Sequence, residues 1–373
     1  MTVVFDISYL QQTGAGITRY CRELLRGLLA KDVKNDYVLH GWSLSLDRDE
    51  IASLARDNVR LSARRIPGPL KRMYWNRIRF PALGALVGAF DIFHSAEPLL
   101  PPLGKGVGVI TVHDLAYLRY PRLFQKSVLR RDPFVRGSIS RAGAIIVPSL
   151  ATKSDLVELL GVDERRIHLI RPPVFAGCSP LRERGTDEAV LRKYRLRPPF
   201  ALFVGVIEPR KNIEAIIRAF EKAQGDFDLV LVGKPGWLYQ GTLLAINRSP
   251  ARSRIHLLGF VPDRDLPSIY RNARFFVFPS LFEGYGSPVA EAMASGLPVI
   301  TSRNSSLREI AADAAHLVDP GNDEELTAAM QLLAGDDAAC RRLAALGLEQ
   351  IRKLQEVNAP DAVLRLYDDL EKR

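Results

Sequence analysis

The chain has 373 residues, 47% apolar and 25% charged, which is too long for one ordinary core and too balanced for disorder, so two domains are expected. Collagen-like, coiled-coil and disulfide-scaffold architectures are excluded, and Cys21, Cys178 and Cys340 are too scattered for a thiolate metal site, which points to a reducing, cytoplasmic compartment. The net charge of +10 is all N-terminal, with 26 Lys and Arg against 16 Asp and Glu in residues 1–180 and 26 against 26 in residues 181–373.

Taken in chain order, residues 2–7 read as a strand with no basic lead before it, so no secretion signal is expected. Residues 17–29 read as a helix with Tyr20, Leu24, Leu25 and Leu28 on one face. Between Asp57 and Asp91 there is no acidic residue, and Arg60, Arg64, Arg65, Lys71, Arg72, Arg77 and Arg79 interleave with apolar and aromatic side chains, Trp75 among them. That mixture over residues 60–79 predicts peripheral contact with an anionic membrane, aromatics at headgroup level, against the plainer alternative of a solvated basic helix. A second cluster, Arg119, Arg122, Lys126, Arg130, Arg131, Arg136 and Arg141, extends the basic surface over 119–141. The longest charge-free apolar run, 80–90, is far below the roughly 20 residues that cross a bilayer. Nucleic acid is not an expected partner, because the second half is neutral and no reader motif is present.

Further strands are predicted at 91–94, 108–112 and 144–147, followed by a proline-rich linker over 171–180. The alternation then restarts: strands at 200–204, 229–232, 254–258, 273–278 and 298–301, with helices at 212–222 and 287–295. A last amphipathic helix, 361–370, is placed to cross back to the first domain. Short apolar strands alternating with helices predict an α/β chain of two Rossmann-like, doubly wound domains facing a central cleft.

The strongest local signal runs from Phe282 to Val299. Gly284, Tyr285 and Gly286 form a glycine-rich loop after a strand, with Ser287 as N-cap and Pro288 as first helical residue. Amides freed at that helix start make an anion receptor, flanked by Glu283 and Glu291. Carboxylates repel phosphate and accept from hydroxyls, so the ligand expected is a sugar nucleotide. Two Asp-x-Asp triplets, Asp47 to Asp49 and Asp263 to Asp265, read as loop or helix-start acids rather than a metal site.

The spacing from Glu283 to Glu291, continuing into EAMASGLPVI, resembles the signature of the retaining glycosyltransferases of family GT4, which have the GT-B fold. GAGITRYCRELL, VHDL, VGVIEPRKN, LVGKPGW and LGFVPDRDLPSIYRNARFFVFPSLFEGYGSP carry the likeness through most of the chain. The VHDLAYLRYP and IEPRKN segments are most similar to bacterial mannosyltransferase-like members that build O-antigen and other surface polysaccharides. The resemblance implies an acceptor-binding domain over 1–175 joined by 360–373, a donor-binding domain over 176–359, and no cofactor or obligatory metal. It implies that Glu291 holds ribose hydroxyls, Glu283 sugar hydroxyls, the amides from Gly284 to Ser287 the sugar and diphosphate, and Arg210 and Lys211 the leaving diphosphate. Where many members have Arg after the glycine matching Gly205, this chain has Val206, and Arg210 takes that place. Gly14 and Gly16 match the glycine loop that closes on donor phosphate and acceptor, His113 the histidine reaching the donor sugar, and Phe260 and Val261 the loop that holds the base. Lys234 is placed on the same rim. The implied reaction moves mannose or a related deoxyhexose from a GDP-linked donor to a lipid-linked glycan at the inner face of the cytoplasmic membrane. A UDP-sugar donor with another acceptor, a GT-B sugar-nucleotide epimerase and a non-catalytic binding module are the alternatives.

Overall fold

A computed structural model of the chain describes residues 1–10, 16–42, 46–64, 75, 78, 80–175, 177–181 and 183–372, the side chains of Arg48, Arg64 and Arg184 excepted. The chain divides into two compact units. One comprises Met1–Leu118, Lys126–Pro173 and Val357–Arg373, and the other Arg119–Gln125 and Val174–Glu356. The short excursion 119–125 sits inside the stretch expected to be wholly part of the first domain.

The first unit holds β1 (Thr2–Asp6), β2 (Asp36–Trp42), β3 (Val59–Arg64), β4 (Ile92–Ser95), β5 (Val107–Thr111), β6 (Ala144–Val147) and β7 (Ile167–Leu169), all parallel in the order β3-β2-β1-β4-β5-β6-β7. Helices cover both faces of such a sheet, so alternate residues of one strand enter opposite layers. Val3 and Phe5 pack with Leu24, Leu25 and Leu28 of the helix Gly16–Lys31 and with Val363, Leu366 and Tyr367 of the helix Ala359–Glu371. Val4 faces the other way, toward Trp42, Trp75 and Phe93. The last helix is therefore part of the first unit's core. Inside that layer the Tyr367 hydroxyl meets Nδ1 of His94, whose imidazole is pushed down to about 3 by burial and so is neutral.

The second unit holds β8 (Phe200–Val204), β9 (Asp228–Val232), β10 (Ile255–Gly259), β11 (Phe275–Phe278), β12 (Val299–Ser302) and β13 (His316–Val318), parallel in the order β10-β9-β8-β11-β12-β13. Its central strands are apolar throughout, FALFV in β8 and FFVF in β11, because both faces are buried.

The basic stretch 60–79 is corrected in part. Residues 59–64 are a strand, Arg60 donates to the Val87 carbonyl at 2.8 Å, and Trp75 is a core residue, 4% exposed, whose ring centroid lies 5.8 Å from that of Trp42. An indole held in that cluster is not at a headgroup surface. Arg65, Lys71, Arg72, Arg77 and Arg79 lie outside the described residues, as does Gly14. In the second basic cluster Arg141 donates to the carbonyls of Leu100, Pro101 and Gly137, and Arg136 pairs with Asp132 at 2.7 Å, while Arg122, Lys126 and Arg130 are exposed. Among the described residues no helix is long and apolar enough to cross a membrane.

Candidate active site

In an open parallel sheet ligands bind beyond the carboxyl ends of the strands, where the strand order reverses. In the second unit that point lies between β8 and β11. The segment after β8 carries Gly205 and, in a short 3-10 turn Pro209–Lys211, Arg210 and Lys211; the segment after β11 carries residues 281–286 and the helix Ser287–Ala294. Backbone bonds stitch the two, Leu281 N to Arg210 O at 2.9 Å and Asn212 Nδ2 to Pro279 O at 3.2 Å. Beside Gly205 the end of β9 approaches so closely that a Cβ on Gly233 would lie 1.7 Å from the Gly205 carbonyl oxygen.

Three of the predicted residues meet here. Glu283 Oε1 accepts from Lys211 Nζ at 2.6 Å and Oε2 pairs with Arg210 Nη1 at 2.9 Å. Arg210 also pairs with Glu208 Oε1 at 2.8 Å and donates to the Phe282 carbonyl at 2.7 Å. All four side chains are buried or nearly so. Burial alone would raise the Glu283 carboxyl, but the Arg210 and Lys211 charges outweigh it and hold it at about 2, so it is ionised. Burial pushes the Lys211 ammonium down, with Glu283 opposing and Arg210 assisting, and burial pushes Glu208 up. Lys211 also lies 4.8 Å from the centroid of the Phe278 ring.

The loop above this quartet is held by the helix Ser305–Ala311. Ser305 Oγ accepts from Glu283 N at 3.1 Å, and Ser306 Oγ donates to the carbonyls of Glu283 and Tyr285, both at 2.9 Å. The expected cap is corrected by one residue. Gly286, at φ +97°, is the N-cap, and Ser287 and Pro288 are the first two helical residues, so Ser287 is exposed and makes no cap bond. A left-handed cap with no room for a Cβ, which would lie 2.6 Å from Leu307 Cδ2, selects glycine over serine. Glu291, on the same helix, is 3% exposed and accepts from the Tyr270 hydroxyl at 3.1 Å.

Beyond the ends of β9 and β10, Lys234 Nζ sits 4.6 Å from the centroid of the Phe260 ring, which is half exposed, while Val261 is buried. Trp237 Nε1 donates to the Leu123 carbonyl at 2.7 Å and its ring meets Phe124 at 5.4 Å; Tyr120 lies against Phe282 at 5.7 Å. The excursion 119–125 thus rests on the loop that carries Glu283. Asp265 is taken up by Lys193 at 2.5 Å and the Tyr194 hydroxyl at 2.8 Å, and Asp47 caps a helix through Glu50 N. No cluster of three metal-ligating side chains occurs among the described residues.

His113 belongs to the first unit, directly after β5. Its Nε2 lies 2.8 Å from the Ala96 carbonyl and its ring stands edge-on to Tyr20 at 4.9 Å. A carbonyl only accepts, so Nε2 carries the proton, and burial lowers the ring's affinity for a second one. Gly16 begins the helix Gly16–Lys31. Site residues not singled out from the sequence are Glu208 and Tyr270, which lie inside the VGVIEPRKN and LGFVPDRDLPSIYRNARFFVFPSLFEGYGSP segments, and Ser305 and Ser306, which lie outside them.

Two Rossmann-like units, with a carboxylate and two cations at the second unit's switch point, define a GT-B chain. Residues 188–349 match the model for glycosyl transferases group 1, and residues 14–177 that for glycosyltransferase family 4. The O-antigen chain mannosyltransferase B of Escherichia coli is 28% identical over 390 aligned residues, covering 98% of this chain and 99% of that protein. The serotype-specific mannosyltransferase WbdA of Escherichia coli is 33% identical over 227, covering 58% of this chain and 28% of WbdA. The structure of sucrose-phosphate synthase from Thermosynechococcus elongatus superposes with a TM-score of 0.77 at 20% identity, over 100% of this chain and 99% of that one. The chain belongs to the family 4, group 1 glycosyltransferases.

Proposed function

We propose that this glycosyltransferase retains anomeric configuration and moves mannose, or a related deoxyhexose, from a GDP-linked donor to a lipid-linked glycan in O-antigen-type polysaccharide synthesis. The observation that carries the reading is the Arg210, Lys211 and Glu283 cluster beside a glycine-capped helix start at the switch point. The names of the full-length relative and of WbdA support the sugar and the pathway class.

The amides from Gly284 to Ser287 and the two cations receive the diphosphate, and Glu283 and Glu291 accept from the uncharged sugar and ribose hydroxyls. As the bond from the anomeric carbon to the phosphate oxygen breaks, its electron pair stays on the diphosphate. Arg210 and Lys211 are already oriented toward that growing charge by Glu208 and Glu283, so they stabilise the transition state without reorganising. Neutral His113 donates no formal charge and contacts the donor sugar. The acceptor hydroxyl bonds to the anomeric carbon on the face the phosphate leaves, and its proton passes to the departing phosphate. No covalent sugar intermediate and no metal take part. Exposed Arg122, Lys126 and Arg130 hold the enzyme at the inner face of an anionic membrane.

The test is a panel of GDP-, UDP- and dTDP-sugars, read first by thermal shift and then by turnover with and without a mannose-terminated lipid acceptor, each with EDTA. Stabilisation by GDP-mannose, acceptor-dependent turnover and indifference to EDTA are expected. Preference for a UDP-sugar would replace the donor, and equal turnover without acceptor would replace the transferase by an epimerase or hydrolase.

A further inference from the structure

We propose that residues 119–125 form a strap that positions Glu283 for the donor sugar, with Tyr120 acting through the Phe282 ring; the inference rests on the transferase reading above. Phe282 is a large apolar side chain, 7% exposed, yet among the described residues it joins none of the hydrophobic cores. Its ring meets Tyr120 instead, at 5.7 Å and a tilt of 52°. The other end of the strap is seated by Trp237, whose indole donates to the Leu123 carbonyl at 2.7 Å and whose ring meets Phe124 at 5.4 Å. The turn that presents this indole holds the next residue, half-exposed Leu238, at φ +55°, a costly conformation for a residue with a Cβ. Arg119, Tyr120, Pro121, Arg122 and Gln125 are exposed, so the strap lies on the surface of the second unit and outside its core.

The peptide unit between Phe282 and Glu283 is planar, and both of its polar groups are engaged. Its carbonyl accepts from Arg210 Nη1 at 2.7 Å, the nitrogen that also pairs with Glu283 Oε2 at 2.9 Å, and its N–H donates to Ser305 Oγ at 3.1 Å. The aromatic contact fixes a third direction, that of the Phe282 side chain. Without the Tyr120 ring the Phe282 ring faces water, and it gains by turning to other cover. The peptide unit turns with it and takes Glu283 out of hydrogen-bond reach of a sugar hydroxyl. Arg210 keeps Glu208 Oε1 at 2.8 Å, so the cations that receive the diphosphate stay in place. The strap therefore acts on the sugar end of the donor and spares its nucleoside diphosphate end.

The experiment compares the full-length wild type with Tyr120→Ala, Tyr120→Phe and Trp237→Phe. Three quantities are measured: the Kd values of GDP-mannose and of GDP by calorimetry, kcat with a mannose-terminated lipid acceptor, and hydrogen exchange of the 281–286 amides without ligand. In Tyr120→Ala the GDP-mannose Kd is expected to weaken about tenfold while the GDP Kd stays within about twofold of wild type, because a charge-assisted hydrogen bond to the sugar is lost. In the same variant kcat should fall about tenfold and the 281–286 amides should exchange faster. Tyr120→Phe keeps the ring and restores all three readings, and Trp237→Phe, which removes the N–H, gives the same pattern at smaller size. Unchanged GDP-mannose Kd and kcat in Tyr120→Ala, or a GDP Kd that weakens in parallel, overturns the proposal and leaves the strap a packing feature. If Tyr120→Ala does not fold, the same readings on Tyr120→Leu and Trp237→Phe decide. A wild type that neither binds nor turns over GDP-mannose fails the donor reading and not the strap: exchange that quickens in Tyr120→Ala and recovers in Tyr120→Phe then upholds the strap, and unchanged exchange overturns it.

Discussion

Glu283→Gln keeps the shape of the side chain and removes the charge that two buried cations share. The carboxyl falls from 4.5 to about 2 in the folded chain. At about 1.4 kcal/mol per tenfold, that fall corresponds to roughly 3 kcal/mol of folding free energy at neutral pH. Because the folded value lies below the unfolded one, this contribution is complete above pH 4.5 and disappears as pH drops toward 2. In the variant Arg210 keeps Glu208, 2.8 Å away, while Lys211 loses its carboxylate at 2.6 Å, so the cost falls on the lysine. A loss of about 2–4 kcal/mol at pH 7 is expected, in the range for breaking a buried pair by removing one partner. Urea denaturation of both proteins at steps from pH 7 to pH 3 reads it directly. The gap should be widest at pH 7 and narrow below pH 4.5, where the unfolded chain takes up a proton that the folded carboxylate does not. Parallel curves throughout, or a gap below 1 kcal/mol at pH 7, would refute the assignment of Glu283 as the ionised partner of Lys211.

Lys211→Ala should lower kcat by about 100-fold while changing donor Kd far less, measured by steady-state kinetics and calorimetry; an unchanged kcat removes Lys211 from the chemistry. Gly286→Ala forces a side chain into φ +97° and against Leu307, so a stability loss of about 2 kcal/mol is expected in urea titration, and a loss under 0.5 would mean the loop relaxes freely. Tyr367→Phe removes the hydroxyl that meets buried His94 and should cost about 1–2 kcal/mol without altering donor Kd, since it acts in the first unit's core; a changed Kd would contradict that separation.

Strands buried on both faces were legible in the sequence because apolar runs such as FALFV and FFVF have no other use in a chain this polar. β2 was not, since His40 and Gly41 interrupt its apolar pattern although the strand is buried, and β3 was masked by its arginines. Glu283, Arg210 and Lys211 were each found by motif, but their mutual pairing was not, because it joins positions 72 residues apart and depends on which strands are neighbours. The one-residue error at the helix start has a local cause: Ser-Pro is a good cap sequence, and the left-handed conformation of Gly286 is decided by Leu307, a residue on another helix.

The polypeptide passes between its two units four times, at 118/119, 125/126, 173/174 and 356/357. Dissection at a single bond therefore cannot yield two intact halves. A fragment ending at 173 lacks the helix that completes its own hydrophobic layer, and a fragment of 174–356 leaves the Trp237 indole without Leu123 and the Phe282 ring without Tyr120. Faithful truncation of the second unit would need residues 119–125 restored, as a grafted loop or an added peptide.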